Sequence, residues 1–501
     1  MRDHLLLYIN GGAVSVRGDD AAMTLSDFLR RQRGLTGTKV VCAEGDCGAC
    51  AVLVGRVSDD GKRIEYSSIC SCIVRMFQLD ATHVVTVEGL NDGEALNPIQ
   101  EAMVRCHGAQ CGFCTPGMVV SLHDLMDRHD NLTAHDVRRG LVGNLCRCTG
   151  YDSIIRAALE TDRSRHKSVE RLYPSRPLLA ALGSAADEEA SGNAGEIRYY
   201  KPVNRAGALR FRSGNPGCLI VAGATDLGVQ CNKGTRRLAV VMSTHGLKQW
   251  QDVSVSGGVL HVGAGASLTK LEQITASCLP ELSGFLASFG SPLIKNAGTL
   301  AGNLVNGSPI ADTIPALFAL DAEIDIASEK GTRSINVHQF YTGYRKTVLT
   351  PSEMVTGVRM PLPAPGDVFK LYKVSRRKDL DIASFGAAVW MRMAGRTIAD
   401  VRIAYGGVAA TVVRMAGAEA ILRGNNASLE LFEQAGRAAR DEVRPITDVR
   451  GGEDYRKALA ENILIKFWHD LDGGDDDADA PSLASPGRPL QLARSPKVDG
   501  P

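Results

Sequence analysis

The sequence has no long hydrophobic run and almost no net charge. No apolar stretch reaches the roughly 18 residues that a membrane span needs, and the opening MRDHLLLYIN holds only a short apolar run. We therefore expect neither a membrane helix nor a signal peptide. Lys and Arg (57) balance Asp and Glu (56), leaving a net charge of +1, which offers no basis for general binding to nucleic acid or anionic lipid. These absences predict a globular protein of the cytoplasm.

Cysteine, in contrast, is plentiful and unevenly placed. Ten of the 13 cysteines fall between Cys42 and Cys148, and the 501 residues are too many for one ordinary core. Because cytosolic thiols stay reduced, a disulfide framework is not expected. The clustering instead predicts a metal-binding N-terminal third within a protein of several domains.

The first group of cysteines contains three thiols in one loop: Cys42, Cys47 and Cys50. Their C-x4-C-x2-C spacing, with a fourth cysteine further along, is typical of a plant-type [2Fe–2S] cluster. Gly45 and Gly48 would let the loop wrap so that backbone amides face the sulfides. Four cysteines also suit zinc, but structural zinc sites usually pair two C-x2-C units. The pattern favours iron–sulfur and leaves Cys70 and Cys72 as alternatives for the fourth ligand.

The second cysteine set pairs a C-x2-C with a C-x-C: Cys111, Cys114, Cys146 and Cys148. Taken alone, four such thiols would suit zinc and iron–sulfur equally well. Beside a ferredoxin-like loop, a relay of two clusters is the better interpretation. Cys106 lies outside the pattern, and we expect it to be a small buried residue.

Four segments together resemble the iron–sulfur portion of the molybdenum hydroxylase family, which includes xanthine dehydrogenases: AEGDCGAC, TVEGL, QCGFCTPGM and GNLCRCTGY. The resemblance implies that Cys72, not Cys70, completes the first cysteine set (Cys42, Cys47, Cys50 and Cys72). It also implies that the first cluster lies nearer the flavin and the second nearer the molybdopterin. Gln110 and Cys148 match positions that approach the pterin of a partner domain.

Two loops rich in small residues predict a phosphate-binding site in the rest of the chain. LIVAGATDLG (219–228) and SPLIKNAGTLAGNLVNGSPIADTIPAL (291–317) resemble the family's two pyrophosphate loops. Small residues let backbone N–H groups close on phosphate oxygens, although ordinary glycine-rich turns are the alternative. Ala224 and Ala301 stand where many relatives have glycine. The resemblance implies these FAD contacts: Leu219, Ile220, Val221, Ala222, Gly223, Ala224, Thr225, Asp226, Phe289, Thr299, Leu300, Ala301, Gly302, Asn303, Asp312, Val355 and Lys373.

The pattern of elements predicts a multidomain α+β protein. Alternating apolar segments give a β-rich start with one early helix, and helical spacing follows from Pro98, with Thr115 and Thr133 as expected N-caps. Together with the resemblance, this gives a plant-type ferredoxin β-grasp domain (1–90), an all-helical [2Fe–2S] domain (91–163), a surface linker (164–195), an α/β FAD-binding domain (196–366), an α+β C-terminal flavoprotein domain (367–470) and a disordered tail (471–501).

The sequence shows no domain for molybdopterin or substrate, so the resemblance implies a split enzyme. The order of modules is similar to the small subunit of bacterial xanthine dehydrogenases. Such a subunit passes electrons from molybdopterin on a large subunit through two [2Fe–2S] clusters to FAD and then NAD+, during oxidation of hypoxanthine or xanthine to urate. The family's usual assembly is two small and two large subunits, and no residue here is expected to act as a catalytic acid or base.

Three alternatives remain open at this stage. The same architecture could serve another molybdenum hydroxylase, acting on a nitrogen heterocycle or an aldehyde, because the substrate pocket would lie on the partner. The chain could be a flavin and iron–sulfur redox sensor. It could also be a structural protein held together by zinc. The choice between NAD+ and oxygen as acceptor is open as well.

Overall fold

The computed structural model describes residues 1–91, 93 and 95–472. Its first domain is a five-stranded sheet in the order β2-β1-β5-β3-β4, with one helix packed on it. The elements are β1 (Leu5–Ile9), β2 (Gly12–Val16), α1 (Leu25–Arg31), β3 (Ala51–Val57), β4 (Ile64–Cys70) and β5 (His83–Val85). Only β1 and β5 pair in parallel. Phe28 of α1 shares a buried core with Leu5 and Leu7 of β1, as the predicted ferredoxin fold requires.

The second domain is built from helices. They are α2 (Pro98–Arg105), α3 (Thr115–Arg128), α4 (Ala134–Gly140) and α5 (Asp152–Leu159). Thr133 and Asp136 form a reciprocal capping box at α4, which confirms the prediction for Thr133. The prediction for Thr115 was wrong: this residue is already helical, and Cys114 occupies the cap position.

The segment 164–195, which we call the connector, is more structured than the expected surface linker. It contains α6 (Val169–Leu172), α7 (Ser175–Ala186) and β6 (Ala190–Ala194). Leu178 and Leu182 lie one helical turn apart and are buried with Ile64 of the first domain. Its charged and small residues suggested a linker, but these two leucines hold the helix against the first sheet. β6 already belongs to the sheet of the following domain.

The third domain contains two sheets. The first sheet has the order β6-β7-β9-β8, with β7, β9 and β8 parallel. Its further elements are β7 (Ile197–Lys201), α8 (Arg205–Gly214), β8 (Leu219–Val221), α9 (Leu227–Asn232) and β9 (Val240–Ser243).

The second sheet of this domain is antiparallel and has the order β10-β11-β16-β12-β13, with a separate pair formed by β14 and β15. The elements are β10 (Val253–Ser256), β11 (Val259–Gly263), α10 (Leu268–Cys278), α11 (Pro280–Ala287), α12 (Pro292–Lys295), α13 (Leu300–Asn306), α14 (Ile314–Ala319), β12 (Glu323–Ser328), β13 (Gly331–Asn336), β14 (Tyr341–Gly343), β15 (Lys346–Thr347) and β16 (Met354–Pro361).

The fourth domain is an antiparallel sheet in the order β17-β18-β19-β20, with helices packed against it. The elements are β17 (Val368–Val374), β18 (Phe385–Ala394), β19 (Thr397–Gly406), β20 (Val413–Arg414), α15 (Ala416–Leu422), α16 (Leu429–Glu442) and α17 (Glu453–Asp472). The last helix runs two residues into the predicted tail, and the remainder of that tail lies outside the described residues.

Short 3₁₀ helices complete the secondary structure: Gly18–Ala22, Met76–Gln78, Val87–Leu90, Lys248–Trp250 and Val337–Gln339. Among the described residues, none of the helices combines the length and the apolar character needed to span a bilayer. The architecture is the predicted multidomain α+β fold.

A buried group of charges joins the first domain to the third. Asp80 is fully buried and accepts hydrogen bonds from Arg2, at 2.7 Å, and from Lys201 of β7, at 2.8 Å. Lys201 also donates to the carbonyl of Ala185 at the end of α7, where the helix dipole favours a cation. Burial raises the pKa of Asp80, but its two cationic partners outweigh this and lower the pKa below its ordinary value. The carboxylate is therefore charged at neutral pH.

Replacing Asp80 by Asn should lower the free energy of unfolding by about 3–5 kcal/mol, because Lys201 and Arg2 would stay buried without their carboxylate. Urea unfolding followed by fluorescence measures this loss. Asp187→Asn is the matched control, since Asp187 and Lys248 form a pair with 71% and 54% exposed side chains, worth at most about 1 kcal/mol. Equal losses of stability in the two variants would contradict the role of Asp80 as the carboxylate that stabilises Lys201 and Arg2.

The same pair of variants should differ in pH dependence. Because the folded-state pKa of Asp80 is lowered, its contribution is present above the unfolded-state pKa of about 3.9 and is lost as the pH falls below it. Asp80→Asn should flatten the stability profile in this acid range, and Asp187→Asn should leave it unchanged.

Candidate iron–sulfur and flavin sites

The loop before β3 brings the thiols of the first cysteine set together. Cys42 is in contact with Cys47 and Cys72, and Cys50 is in contact with Cys72. Cys47, Cys50 and Cys72 are buried, while Cys42 is half-buried. Gly45 and Gly48 have φ of +75° and +64°, which confirms the expected left-handed turns. The backbone N–H of Glu44 donates to the sulfur of Cys42 at 3.4 Å.

The alternative fourth ligands, Cys70 and Cys72, occupy different environments. Cys70 is the last residue of β4, opposite Ala51 in the sheet, and its thiol donates to the carbonyl of Gly45 at 3.5 Å. It touches Cys50 as well. Cys72 lies in the turn beyond the strand and contacts both Cys42 and Cys50, at the two ends of the loop. This position favours Cys72 as the fourth ligand.

The thiols of the first cysteine set lie close enough to hydrogen-bond to one another. Hydrogen bonds from Cys47 and Cys72 hold the pKa of Cys42 far below its ordinary value. The thiol of Cys72 then has a strongly raised pKa, because it donates to Cys42 and Cys50. Four thiols packed this closely cannot all ionise unless a cation offsets their repulsion. The donor set and its charge therefore fit an iron–sulfur cluster.

The second cysteine set is arranged as two pairs. The sulfurs of Cys111 and Cys148 lie 3.6 Å apart at the surface, and Cys114 contacts Cys146 further inside. Burial, and to a smaller extent the hydrogen bond to Cys146, raises the pKa of Cys114 to about 12. Cys106 is buried beside Glu160 and stays apart from the set, as expected.

The spacing of the thiols in the second cysteine set favours a two-iron cluster over a single zinc ion. Four thiolates around one zinc, with Zn–S bonds of about 2.3 Å, lie about 3.8 Å from one another. Within the described residues, no three cysteine sulfurs lie within 4.8 Å of one another. Pairs of thiols are what two irons need, because each iron of a [2Fe–2S] cluster takes two of the four cysteines.

The two cysteine sets are held side by side by direct backbone contact. The N–H of Leu145 donates to the carbonyl of Cys47 at 2.9 Å. A methyl group at Gly48 would overlap the carbonyl oxygen of Gly143, and one at Gly117 would overlap that of Gly48. Only glycine permits so close an approach of the cysteine loop to α3 and to the turn before Cys146.

A second contact joins the first cysteine set to the third domain. Asn232, at the end of α9, donates to the carbonyl of Cys72 at 2.8 Å and to that of Ala43 at 2.9 Å. Arg75 donates back to its side-chain oxygen at 3.0 Å. Asn232 could not be predicted from local patterns, because it acts on Cys72, 160 positions away in the chain.

The predicted pyrophosphate loops meet in space. The residues 222–226 follow β8 at the carboxyl end of the parallel strands, where α/β sheets commonly bind ligands. A methyl group at Gly223 would overlap the carbonyl oxygen of Ala297, within the second loop. Ala224 has a φ of +54°, a left-handed conformation that costs a residue with a Cβ about 1 kcal/mol. This explains why glycine would suit that position.

A cavity of about 490 Å³ opens beside the two loops. Ala222, Gly223 and Thr299 line it from the third domain, and Tyr66 and Gln78 line it from the first. Gln78 also donates to the carbonyl of Ala222 at 3.2 Å. The second loop begins α13, whose N-cap Thr299 accepts from the N–H of Gly302 at 3.0 Å.

The remaining predicted flavin residues form a separate group. Lys373 of β17 donates to Asp312 at 2.7 Å and to the carbonyl of Ser288, next to Phe289, at 3.3 Å. Burial raises the pKa of Asp312, although Lys373 opposes this. Thr313 donates to Asn303 at 2.6 Å and so joins this group to the second loop. Val355 of β16 is buried in the same core as Leu300 and Ala301.

Known families match successive parts of the chain. They are the 2Fe-2S iron-sulfur cluster binding domain (7–76), the [2Fe-2S] binding domain (86–159), the FAD binding domain in molybdopterin dehydrogenase (195–363) and the CO dehydrogenase flavoprotein C-terminal domain (370–471). The fold and the two cysteine sets fit an iron–sulfur flavoprotein. Together the four matched domains cover most of the chain and support a member of the molybdenum hydroxylase family.

Individual relatives agree with this family. A xanthine dehydrogenase from Emericella nidulans is 29% identical over 94% of this chain and 39% of its own length. Aldehyde oxidase 3 from Rattus norvegicus has the same identity and coverage. The chain thus spans about two fifths of the length of these relatives, 39%.

Solved structures match about half of the chain. A carbon monoxide dehydrogenase chain from Hydrogenophaga pseudoflava is 25% identical, with a TM-score of 0.52, over 54% of this chain and 96% of its own. A quinoline 2-oxidoreductase chain from Pseudomonas putida is 26% identical, with a TM-score of 0.53, over 56% of this chain and 98% of its own.

Cys72→Ser should remove one of the two clusters, so that iron falls from about four to about two per chain. Iron analysis and electron paramagnetic resonance of the reduced protein measure this, with one of two cluster signals disappearing. Cys70→Ser is the matched control and should keep both signals, because Cys50 is the one ligand thiol to which Cys70 hydrogen-bonds. Loss of a cluster from Cys70→Ser alone would reverse the assignment.

Gly223→Ala should lower the FAD content, because its methyl group would force the two loops apart. The ratio of flavin to protein after gel filtration measures the effect, and iron content should not change. Gly217→Ala lies just before the same strand, where a methyl group meets nothing within 4 Å. It should retain FAD fully, and equal FAD in both variants would show that the loops do not enclose the cofactor.

Proposed function

We propose that this chain is the electron-transfer small subunit of a xanthine dehydrogenase. The observation that carries the proposal is a series of contacts that joins the two cysteine sets to each other and to the flavin-binding domain. Leu145 contacts Cys47, Cys72 contacts Asn232 at the end of the helix that follows the first flavin loop, and Gln78 of the first domain contacts Ala222 in that loop. A redox sensor or a zinc-held structural protein would not need such a series of contacts. When bound, the two [2Fe–2S] clusters and FAD would carry electrons between a molybdenum cofactor and NAD+.

The residues of this chain would hold and space those groups. The first set (Cys42, Cys47, Cys50 and Cys72) would bind one cluster and the second set the other. The loops at 219–226 and 299–303 would bind the pyrophosphate of FAD through backbone N–H groups. Lys373 would pair with Asp312 beside the flavin, through their 2.7 Å contact. None of these residues would transfer a proton to substrate.

A molybdenum-containing large subunit is the proposed partner. Gln110, Cys111 and Cys148 are exposed on one side of the helical domain, and Phe113 and Leu145 are 47% and 57% exposed there. Exposed apolar side chains around a cluster suit a surface that a partner covers. We propose an assembly of two small and two large subunits, acting in the cytoplasm, where the thiols would stay reduced.

The same role in another molybdenum hydroxylase is the second candidate. An aldehyde oxidase and a quinoline 2-oxidoreductase are among the proteins this chain resembles. The substrate pocket would lie on the partner, so this chain does not determine the substrate. The names of these two proteins make an aldehyde and a nitrogen heterocycle the substrates to compare with xanthine.

Anaerobic addition of NADH to the purified chain tests the electron-transfer role. The visible absorption of flavin and clusters should bleach, because electrons can enter from the NAD+ side in reverse. Gly223→Ala, depleted of FAD, should stay coloured by its clusters and should not bleach. A wild-type protein with full flavin and iron that NADH leaves unchanged would contradict NAD+ as acceptor and favour oxygen or a sensor role.

The partner and substrate need a second measurement. The chain should be isolated with its partner by an affinity tag, and reduction of NAD+ should be followed with xanthine, an aldehyde and quinoline. Activity with xanthine alone supports the first candidate. Activity only with one of the others supports the second.

A further inference from the structure

Three side chains with metal-binding groups meet outside the two cysteine sets. His123 and Asp127 lie four residues apart on α3, so they share one face of the helix. His166 of the connector lies over them, with its ring centre 4.6 Å from that of His123. One ligand atom from each of the three residues lies within 4.8 Å of the others. Two imidazoles and a carboxylate form a common ligand set for zinc.

His123 lacks the partners that a buried imidazole normally has. Its side chain is 1% exposed, and neither ring nitrogen has a hydrogen-bond partner among the described residues. The nearest carboxylate oxygen of Asp127 is 3.7 Å from Nε2, which is too far for a hydrogen bond. Buried polar groups are costly when left unpaired. A metal ion between the three side chains would give this nitrogen a partner.

The other two residues are held in position by each other and by neighbouring residues outside the cluster. His166 Nε2 lies 2.8 Å from one oxygen of Asp127, and the N–H of Val169 donates to the other oxygen at 2.9 Å. Arg163 donates to the carbonyls of Met126 and His129, at the end of α3. These contacts fix the start of the connector against the helix without occupying His123. Outer contacts of this kind orient metal ligands.

We propose that His123, Asp127 and His166 bind one divalent zinc ion, which fastens the connector to α3. Three protein ligands leave a fourth position for water, as zinc allows. The buried His123 leaves both ring nitrogens unpaired within the described part of the chain, and a neutral imidazole is the form that binds metal. The ion would lie at the point where the chain leaves the helical domain for the flavin-binding part.

Metal analysis of the holoprotein tests this site. The purified protein, with both clusters and FAD, is incubated with zinc, passed through gel filtration and analysed for zinc and iron together. We expect about one zinc per chain beyond the cluster iron. His123→Leu and Asp127→Asn should lose most of that zinc while keeping iron, flavin and visible absorption. His135→Ala, an exposed histidine on the neighbouring helix α4, should retain it.

The midpoint of thermal unfolding, measured with and without zinc, distinguishes a loss of zinc binding from a loss of stability caused by the substitution. Zinc should raise the midpoint of unfolding of the wild type and of His135→Ala, because a ligand that binds only the folded state stabilises it. The midpoint of His123→Leu should not respond to zinc, even if its starting value differs. Zinc content equal in wild type and His123→Leu would overturn the proposal, as would a wild type that retains none. If the analysis finds a fifth iron per chain and no zinc, the three side chains bind iron and the assignment of zinc is wrong.

Discussion

The close backbone contact at Gly48 is the constraint on which the arrangement of the cofactor sites depends. At this point the first cysteine loop touches Gly117 of α3 and Gly143 in the turn before Cys146, and none of the three glycines has space for a side chain. The hydrogen bond from Leu145 to Cys47 holds the same junction. Because the loop and the helical domain meet through backbone atoms, their separation does not depend on flexible side chains. The distance between the two cysteine sets is therefore built into the main chain.

The other modules are attached to this junction by polar groups that are mostly buried. Asn232 joins the third domain to the turn that carries Cys72. Asp80 joins the same two domains on another side through Lys201. Helix α7 adds an apolar contact through Leu178 and Leu182. The first domain is thus fixed from several directions, which suits a protein whose function would depend on spacing and not on movement.

Much of this could be predicted from the sequence, because metal ligands leave a pattern that is local. The spacing of Cys42, Cys47 and Cys50 predicted their loop, and the structure brings these thiols together with Cys72. Spacing alone could not separate Cys72 from Cys70, because the difference lies in where β4 ends. The connector was mistaken for a surface linker because the partner that buries Leu182 is Ile64, far away in the sequence. Asn232 and His166 were missed for the same reason, since each acts on residues of another element.

The two cysteine sets differ in exposure, and this difference predicts the order in which they oxidise. Cys111 and Cys148 lie at the surface, whereas Cys47, Cys50 and Cys72 lie inside. Oxidation of thiolates follows their access to oxidants. An isolated chain kept in air should therefore be damaged first at the end where a partner would bind, and last beside the flavin loops. The chain would therefore lose its ability to bind the partner before it loses the visible absorption of the inner cluster.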